Sequence, residues 1–390
     1  MMCTMDRKLE TISEKVYSGQ RLSADDGLAL LRSEDLGTIG QLASHVRHQR
    51  HGRKTYYNIN RHINYSNVCA LSCKFCAFYR KKGQDGAYEY SASEIAEQAR
   101  SAQEGGATEI HMVGGLHPYL PWSYYLETLS AIRQAAPRVH IKAFTAVEIV
   151  HLARIARRPN DLAGVLVDLK AAGLGSLPGG GAEVFDDRVH DEAYKGKIRS
   201  DRWLDVHRIA HELGLMSNAT ILYGHVEALE DRIHHFQILR EAQDEAIGRG
   251  HAGRFATVIT LPFIPDDSEL DHLPGPTGIE DLKMFAVARL MLDNFDHIKA
   301  YWIMLGEKTA QVALSFGADD LDGTVVHELI YHDAGAETPE GLTVDQLHRL
   351  IREAGREPCE RDTLYRRVVR DGHEWSIEEP VAAGGQGVEI

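Results

Sequence analysis

The stretch Asn67-Val68-Cys69-Ala70-Leu71-Ser72-Cys73-Lys74-Phe75-Cys76-Ala77-Phe78-Tyr79 follows closely on a β-rich run, Thr55–Ile63, and precedes a helical pattern that begins near Ser93. It is therefore a strand-to-helix connection. It carries three of the chain's five cysteines, Cys69, Cys73 and Cys76, within eight positions, while Cys3 and Cys359 stand alone. A disulfide framework distributes an even number of cysteines along a short secreted chain, so this crowding points to a bound inorganic group instead. Two groups suit it. Three thiolates can hold a 4Fe–4S cluster and leave its fourth iron open to an outside ligand. The alternative is a Cys3His structural zinc, with His62, His111 or His117 as fourth ligand, although such sites usually come as two separated pairs. Phe75 and Phe78, beside the last cysteine, suit shielding a cluster and contacting a purine.

Outward from this loop, short apolar runs alternate with helical patterns. The expected strands are Thr55–Ile63, Glu109–Val113, His140–Thr145, Leu174–Leu177, Ser217–Tyr223, Phe255–Phe263, His297–Met304 and, weakly, Gln311–Ser315. Helices between them are punctuated: Gly105-Gly106 ends one, and Thr277 with Glu280 forms a capping box ahead of Leu282–Leu292. About eight such alternations predict an α/β fold of the (β/α)8 TIM-barrel type. A doubly wound open sheet is the competing arrangement, but no dinucleotide fingerprint accompanies it. The expected organisation is an N-terminal helical layer over 1–50, a barrel over 51–335, a C-terminal helix and strand extension over 336–373, and a disordered tail over 374–390.

The chain has 390 residues, 43% of them hydrophobic and 26% charged, which excludes collagen-like, disordered and disulfide-scaffold classes. With 43 basic and 57 acidic residues its formal charge is −14. That excess disfavours nucleic acid or an anionic membrane as the main partner, yet permits an anionic small molecule in a locally cationic pocket. No apolar run reaches the length of a membrane span, and the N-terminus lacks a signal core, so a cytoplasmic location is expected.

Other motifs fall at the ends of the expected strands, where barrels build their sites. Gly114 and Gly115 would let a ligand approach the backbone closely, with His117 just beyond. Thr145 and Glu148 end the third run; Glu148 could equally be the acidic first turn of a helix. Leu177-Pro178-Gly179-Gly180-Gly181-Ala182-Glu183 offers amides that could cradle a carboxylate or ribose, with Gly180 at its centre and Glu183 as an acceptor for an ammonium or hydroxyl. Lys197 and Arg199 could pair with a carboxylate. Asn218 and Tyr223, and Tyr301 beside Trp302, are candidates for inward-facing strand positions. Asp322 lies in an acidic loop, Gly317–Thr324, and could bind a metal or cap the next helix.

With these residues in view, C-x3-C-x2-C with an aromatic before the last cysteine resembles the motif of radical S-adenosylmethionine enzymes. Across roughly 55–370, Gly114–Pro118, Leu177–Glu183 and Leu273–Thr277 resemble the group containing the futalosine-pathway and deazaflavin-cofactor enzymes. His140–Glu148, Ala300–Met304 and Ala318–Thr324 are most similar to the aminofutalosine synthases. The resemblance implies a 4Fe–4S cluster on Cys69, Cys73 and Cys76, with S-adenosylmethionine chelating the open iron and its amino group received at Gly114-Gly115. It implies addition of the 5′-deoxyadenosyl radical to the carboxyvinyl ether of 3-hydroxybenzoate, then aryl migration and decarboxylation, to give aminodeoxyfutalosine for menaquinone synthesis. S-adenosylmethionine would be consumed, and a flavodoxin or ferredoxin would supply the electron. Phe78, Gly114, Gly115, Thr145, Glu148, Glu183, Lys197 and Arg199 are then expected at the cofactor, and His117, Gly180, Asn218, Tyr223, Tyr301 and Asp322 at the substrate. Alternatives are a dehypoxanthine futalosine cyclase, a deazaflavin-cofactor synthase subunit, or a zinc-stabilised binding module. Leu261–Asp267 departs from the pattern by lacking a histidine before its proline, and Arg157–Gly164 and Ala246–Arg254 read as insertions. No role is assigned at that strand exit.

Overall fold

The structure is a computed structural model that describes residues 7–194 and 196–378. Fourteen helices and twelve strands follow one another along these residues. The strands are β1 (Lys54–Asn58), β2 (Asn60–Ile63), β3 (Glu109–Met112), β4 (His140–Ala143), β5 (Ser176–Leu177), β6 (Met216–Tyr223), β7 (Phe255–Pro262), β8 (His297–Lys299), β9 (Asp320–Gly323), β10 (Glu357–Glu360), β11 (Val368–Asp371) and β12 (Glu374–Ile377). The helices are α1 (Arg7–Tyr17), α2 (Ala24–Arg32), α3 (Leu36–His51), α4 (Ala92–Glu104), α5 (Trp122–Ala135), α6 (Ala146–Ile155), α7 (Leu162–Ala172), α8 (Asp187–Ala193), α9 (Ser200–Glu212), α10 (Leu229–Gly248), α11 (Gly278–Met291), α12 (Trp302–Leu305), α13 (Glu307–Ala313) and α14 (Val344–Glu353).

Strands β2 to β9 pair in chain order, all parallel. The two edges of that sheet meet on one piece of chain. β1 pairs with β9, while β2, one residue further on, pairs with β3. A bridge from Arg61 to Val326 completes the seam. The result is a closed eight-stranded (β/α)8 barrel, as the alternation predicted. β10 adds to the outer side of β1, and β11 and β12 form a separate hairpin.

Local chemistry sets the helix starts. Ser23, Ser91, Thr145 and Thr343 each cap a helix, and their own amides donate in return to the side-chain oxygens of Asp26, Glu94, Glu148 and Gln346. Thr277 accepts from the Glu280 amide, but only half of its expected box forms, because the Glu280 carboxylate pairs with Arg232 at 2.7 Å. Apolar faces of the helices pack on the outside of the barrel, giving a core that includes Ile110, Ile141, Ile221, Val258 and Ile298, each fully buried. Helices α2 and α3 lie over α10 and α11. Buried Arg47 on α3 donates to the carbonyl of Gly52 at 2.5 Å and to Thr55 Oγ1 at 2.8 Å, tying this layer to the start of β1.

Four expectations are corrected. His297–Met304 is strand only to Lys299, and Trp302 opens α12. Gln311–Ser315 is not a strand but the end of α13 and the turn after it. The eighth strand is β9, inside the segment expected to be an acidic loop. Asp322 therefore caps no helix: it is a strand residue with φ of 66°, its carboxylate turned to Lys299 at 3.0 Å. Residues 374–377, expected within the tail, form β12; residues 379–390 and Cys3 lie outside the described residues.

Candidate active site

The C-terminal ends of the strands surround a cavity of about 270 Å³. The cysteine loop forms one wall, with the exits of β3 to β5 on one side of it and the segment after β9 on the other. Phe144, Glu183, Asp322 and Val325 all hold positive φ around this rim. Such backbone is disfavoured outside glycine, and for β-branched Val325 most of all.

Cys69, Cys73 and Cys76 all line the cavity. Cys69 Sγ accepts the Leu116 amide at 3.4 Å, and the Cys73 thiol donates to the Tyr194 carbonyl at 3.2 Å. Burial pushes the Cys73 thiol up to about 12. Such a buried thiol gives up its proton only where a cation, such as a metal, would bind the sulfur in its place. Among the described residues, the one trio of His, Cys, Asp or Glu whose ligand atoms all lie within 4.8 Å of each other is His51, His297 and Asp319, at the N-terminal ends of β8 and β9. Cys69, Cys73 and Cys76 stand on one short loop and all face the same open cavity, which suits a cluster whose fourth iron stays open to an outside ligand. The donor set fits the cluster.

Gly114 and Gly115 serve packing as well as the site. A Cβ on Gly115 would lie 2.4 Å from the Val68 carbonyl oxygen, so only glycine lets the β3 exit lie against the cysteine loop. Their amides are already used: Gly115 donates to Ser66 at 2.8 Å and Gly114 to Glu148 at 3.1 Å. Glu148 also receives Tyr65 Oη at 2.9 Å, the Thr145 amide at 2.8 Å and Thr145 Oγ1 at 2.9 Å. It is thus both the helix-capping acid and part of the cavity wall, and burial raises its carboxyl to about 7 against the effect of these donors.

Glu183 and Lys197 form an ion pair inside the cavity, and the ammonium lies 4.8 Å from the Phe75 ring centroid. Burial opposes the lysine's charge, but Glu183 outweighs it and holds the group protonated. Phe78, Thr145, Gly180, Asn218, Tyr301 and Asp322 line the cavity too.

Three expected residues are elsewhere. Arg199 is the exposed N-cap of α9 and pairs with Asp187 and Asp191. Tyr223 is buried outside the lining, its hydroxyl donating to Asp281 at 2.6 Å. His117 is fully buried; its Nδ1 accepts the amides of Tyr119 and Leu120, so the proton sits on Nε2 and is donated to Glu89 at 2.7 Å. That histidine organises a loop.

His62 on β2 and His111 on β3 line the cavity as well, and so do Lys142, Lys299, Glu328 and Tyr331, which the sequence did not single out. The lysines did leave a trace. Each stands alone in an apolar β run, Ile141-Lys142-Ala143 and Ile298-Lys299-Ala300, where a surface charge would be out of place.

Residues 63–239 match the model of the radical SAM superfamily, and 252–372 match the CofH/MqnC C-terminal region. The chain is 46% identical over 367 residues to an aminodeoxyfutalosine synthase of Thermus thermophilus, covering 93% of this chain and 96% of that one. The chain belongs to the radical SAM superfamily. It is also 39% identical to a 5-amino-6-(D-ribitylamino)uracil–L-tyrosine 4-hydroxyphenyl transferase of Methanoculleus marisnigri, covering 94% and 99%. The crystal structure of a methylornithine synthase has a similar fold, with a TM-score of 0.70 at 18% identity over 89% of this chain and 97% of the other. Radical SAM enzymes use a 4Fe–4S cluster and S-adenosylmethionine, and Cys69, Cys73 and Cys76 are the residues here that would hold the cluster. Among the described residues, no helix is long and apolar enough to cross a membrane.

Proposed function

We propose that this radical SAM enzyme joins the 5′-deoxyadenosyl group to the carboxyvinyl ether of 3-hydroxybenzoate, with aryl migration and decarboxylation, to form aminodeoxyfutalosine. The observation that carries this reading is 46% identity to a synthase of that name over nearly the whole of both chains. A cluster held by Cys69, Cys73 and Cys76 would, with S-adenosylmethionine, supply the adenosyl radical. The protein's own part is positional. Glu148 ties the β3 exit to α6, Glu183 and Lys197 present a fixed dipole, and Leu71, Phe75, Phe78, Val147 and Phe263 wall the cavity against water. Electrons would come from a flavodoxin or ferredoxin, and a reduced cluster suits the cytoplasm.

The test is anaerobic reconstitution with iron and sulfide, then incubation with reductant, adenosyl-labelled S-adenosylmethionine and the ether. Label retained in a larger product supports the proposal. Release of all label as free 5′-deoxyadenosine would instead indicate hydrogen abstraction, as in a cyclase. Aryl transfer from tyrosine to ribitylaminouracil is the control suggested by the 39% relative.

A further inference from the structure

Below the cysteine loop, the barrel lining carries polar atoms that the protein leaves unsatisfied. His62 pairs with His111 and His111 with Lys142 in the register of β2, β3 and β4, so the three form one level of the lining. The two imidazole centroids are 4.4 Å apart, and Tyr301 lies 6.3 Å from His62 with its ring within 10° of parallel. Nε2 of His62, Nδ1 of His111 and the Tyr301 hydroxyl are buried with no hydrogen-bond partner. An unmade buried bond costs about 1–3 kcal/mol, and three on one wall mark a place for a polar ligand.

The wall is rich in donors. Lys142 contacts Glu109 at 2.7 Å and Lys299 contacts Asp322 at 3.0 Å, which leaves each ammonium with N–H groups to spare. Glu328, on the segment that runs beside β2, already accepts the amides of Ile330 and Tyr331 at 2.8 and 2.9 Å. Burial holds both imidazoles neutral, so each offers one N–H. Glu109 and Asp322 match the two lysine charges, and the donors left over, the ring N–H groups, the Tyr301 hydroxyl and the spare ammonium N–H groups, suit the two acceptor oxygens of a carboxylate.

We propose that His62, His111 and Tyr301, flanked by Lys142 and Lys299, form the subsite for the ring carboxylate of the aromatic substrate. This rests on the substrate reading above. The alkene of the ether has to meet the adenosyl group beside the cysteines, and its own carboxylate is bonded to the alkene. The ring carboxylate, meta across the benzene ring, is the end that reaches deeper.

The test uses reconstituted holoenzyme and two substrates, the carboxyvinyl ethers of 3-hydroxybenzoate and of phenol, with 3-hydroxybenzoate as a binding probe by calorimetry. His111→Leu and Tyr301→Phe should raise KM for the carboxylated ether by about tenfold or more. They should weaken 3-hydroxybenzoate binding to match, and leave KM for the phenyl ether and the iron content unchanged. Equal effects on both ethers, or none on either, would overturn the subsite. Histidine-dependent binding of 3-hydroxybenzoate without product from either ether would sink the functional reading and leave a benzoate site standing.

Discussion

Glu148 accepts the amide of Gly114 at 3.1 Å and so fastens the start of α6 to the exit of β3, directly behind the cysteine loop. Four donors converge on this one carboxylate, and its side chain is nearly fully buried. Glu148→Ala should destabilise the protein by about 2–4 kcal/mol in chemical denaturation, through the lost cap and the stranded donors. Glu148→Gln, which keeps the shape, should cost less. A change below half a kcal/mol for the alanine variant would show that the junction holds without it.

Lys197 and Glu183 are a different case, a charge pair inside the cavity. Removing one partner leaves the other charged and buried. Lys197→Met alone should therefore cost about 3–5 kcal/mol, and the double variant Lys197→Met with Glu183→Leu should recover much of it. A double-mutant cycle on unfolding free energies measures this coupling, and additive effects would count against it.

Cys69→Ala, Cys73→Ala and Cys76→Ala should each abolish turnover and prevent assembly of about four irons per chain. Cys359→Ala, on β10 outside the cavity lining, and Cys3→Ala should change neither. Iron analysis and low-temperature electron paramagnetic resonance of the reduced protein report the outcome.

The His117 ring accepts the Tyr119 and Leu120 amides and donates to Glu89, and it stands outside the cavity lining. His117→Ala should lower the melting temperature while leaving kcat and KM of the folded enzyme within about twofold. A selective loss of kcat at normal stability would return this residue to the chemistry.

The segment after β9 should respond to alkaline pH. His332 sits with both ring nitrogens on carbonyl oxygens, of Glu328 and Thr338, and 3.6 Å from the Glu328 carboxylate. The bond to Glu328 raises its pKa from 6.5 to about 9. A raised histidine stabilises fully below the unfolded value and stops doing so as pH passes the folded one. The segment should thus loosen between about pH 6.5 and 9, losing about 1–2 kcal/mol after allowance for its partial exposure. Hydrogen exchange over 326–340, corrected for intrinsic rate, follows this loss, and His332→Gln should flatten it.

By itself the sequence determined what is written locally. Cys69, Cys73 and Cys76 sit on one short loop, so their shared chemistry needs no knowledge of the rest of the chain. The apolar strand runs and the Thr145–Glu148 and Thr343–Gln346 caps are likewise set within a few residues. The tertiary structure alone decided which side chains meet inside the barrel. β9 reads as a loop because Asp320 and Asp322 are poor strand formers. Yet it is a buried strand, since Arg361 pairs with Asp320 at 2.8 Å and Lys299 with Asp322 at 3.0 Å. His62, His111 and Lys142 lie 80 residues apart from first to last, and only the parallel register of β2, β3 and β4 sets them side by side. Direction is the physical reason. A side chain's face depends on strand register, and register is fixed only when the barrel closes.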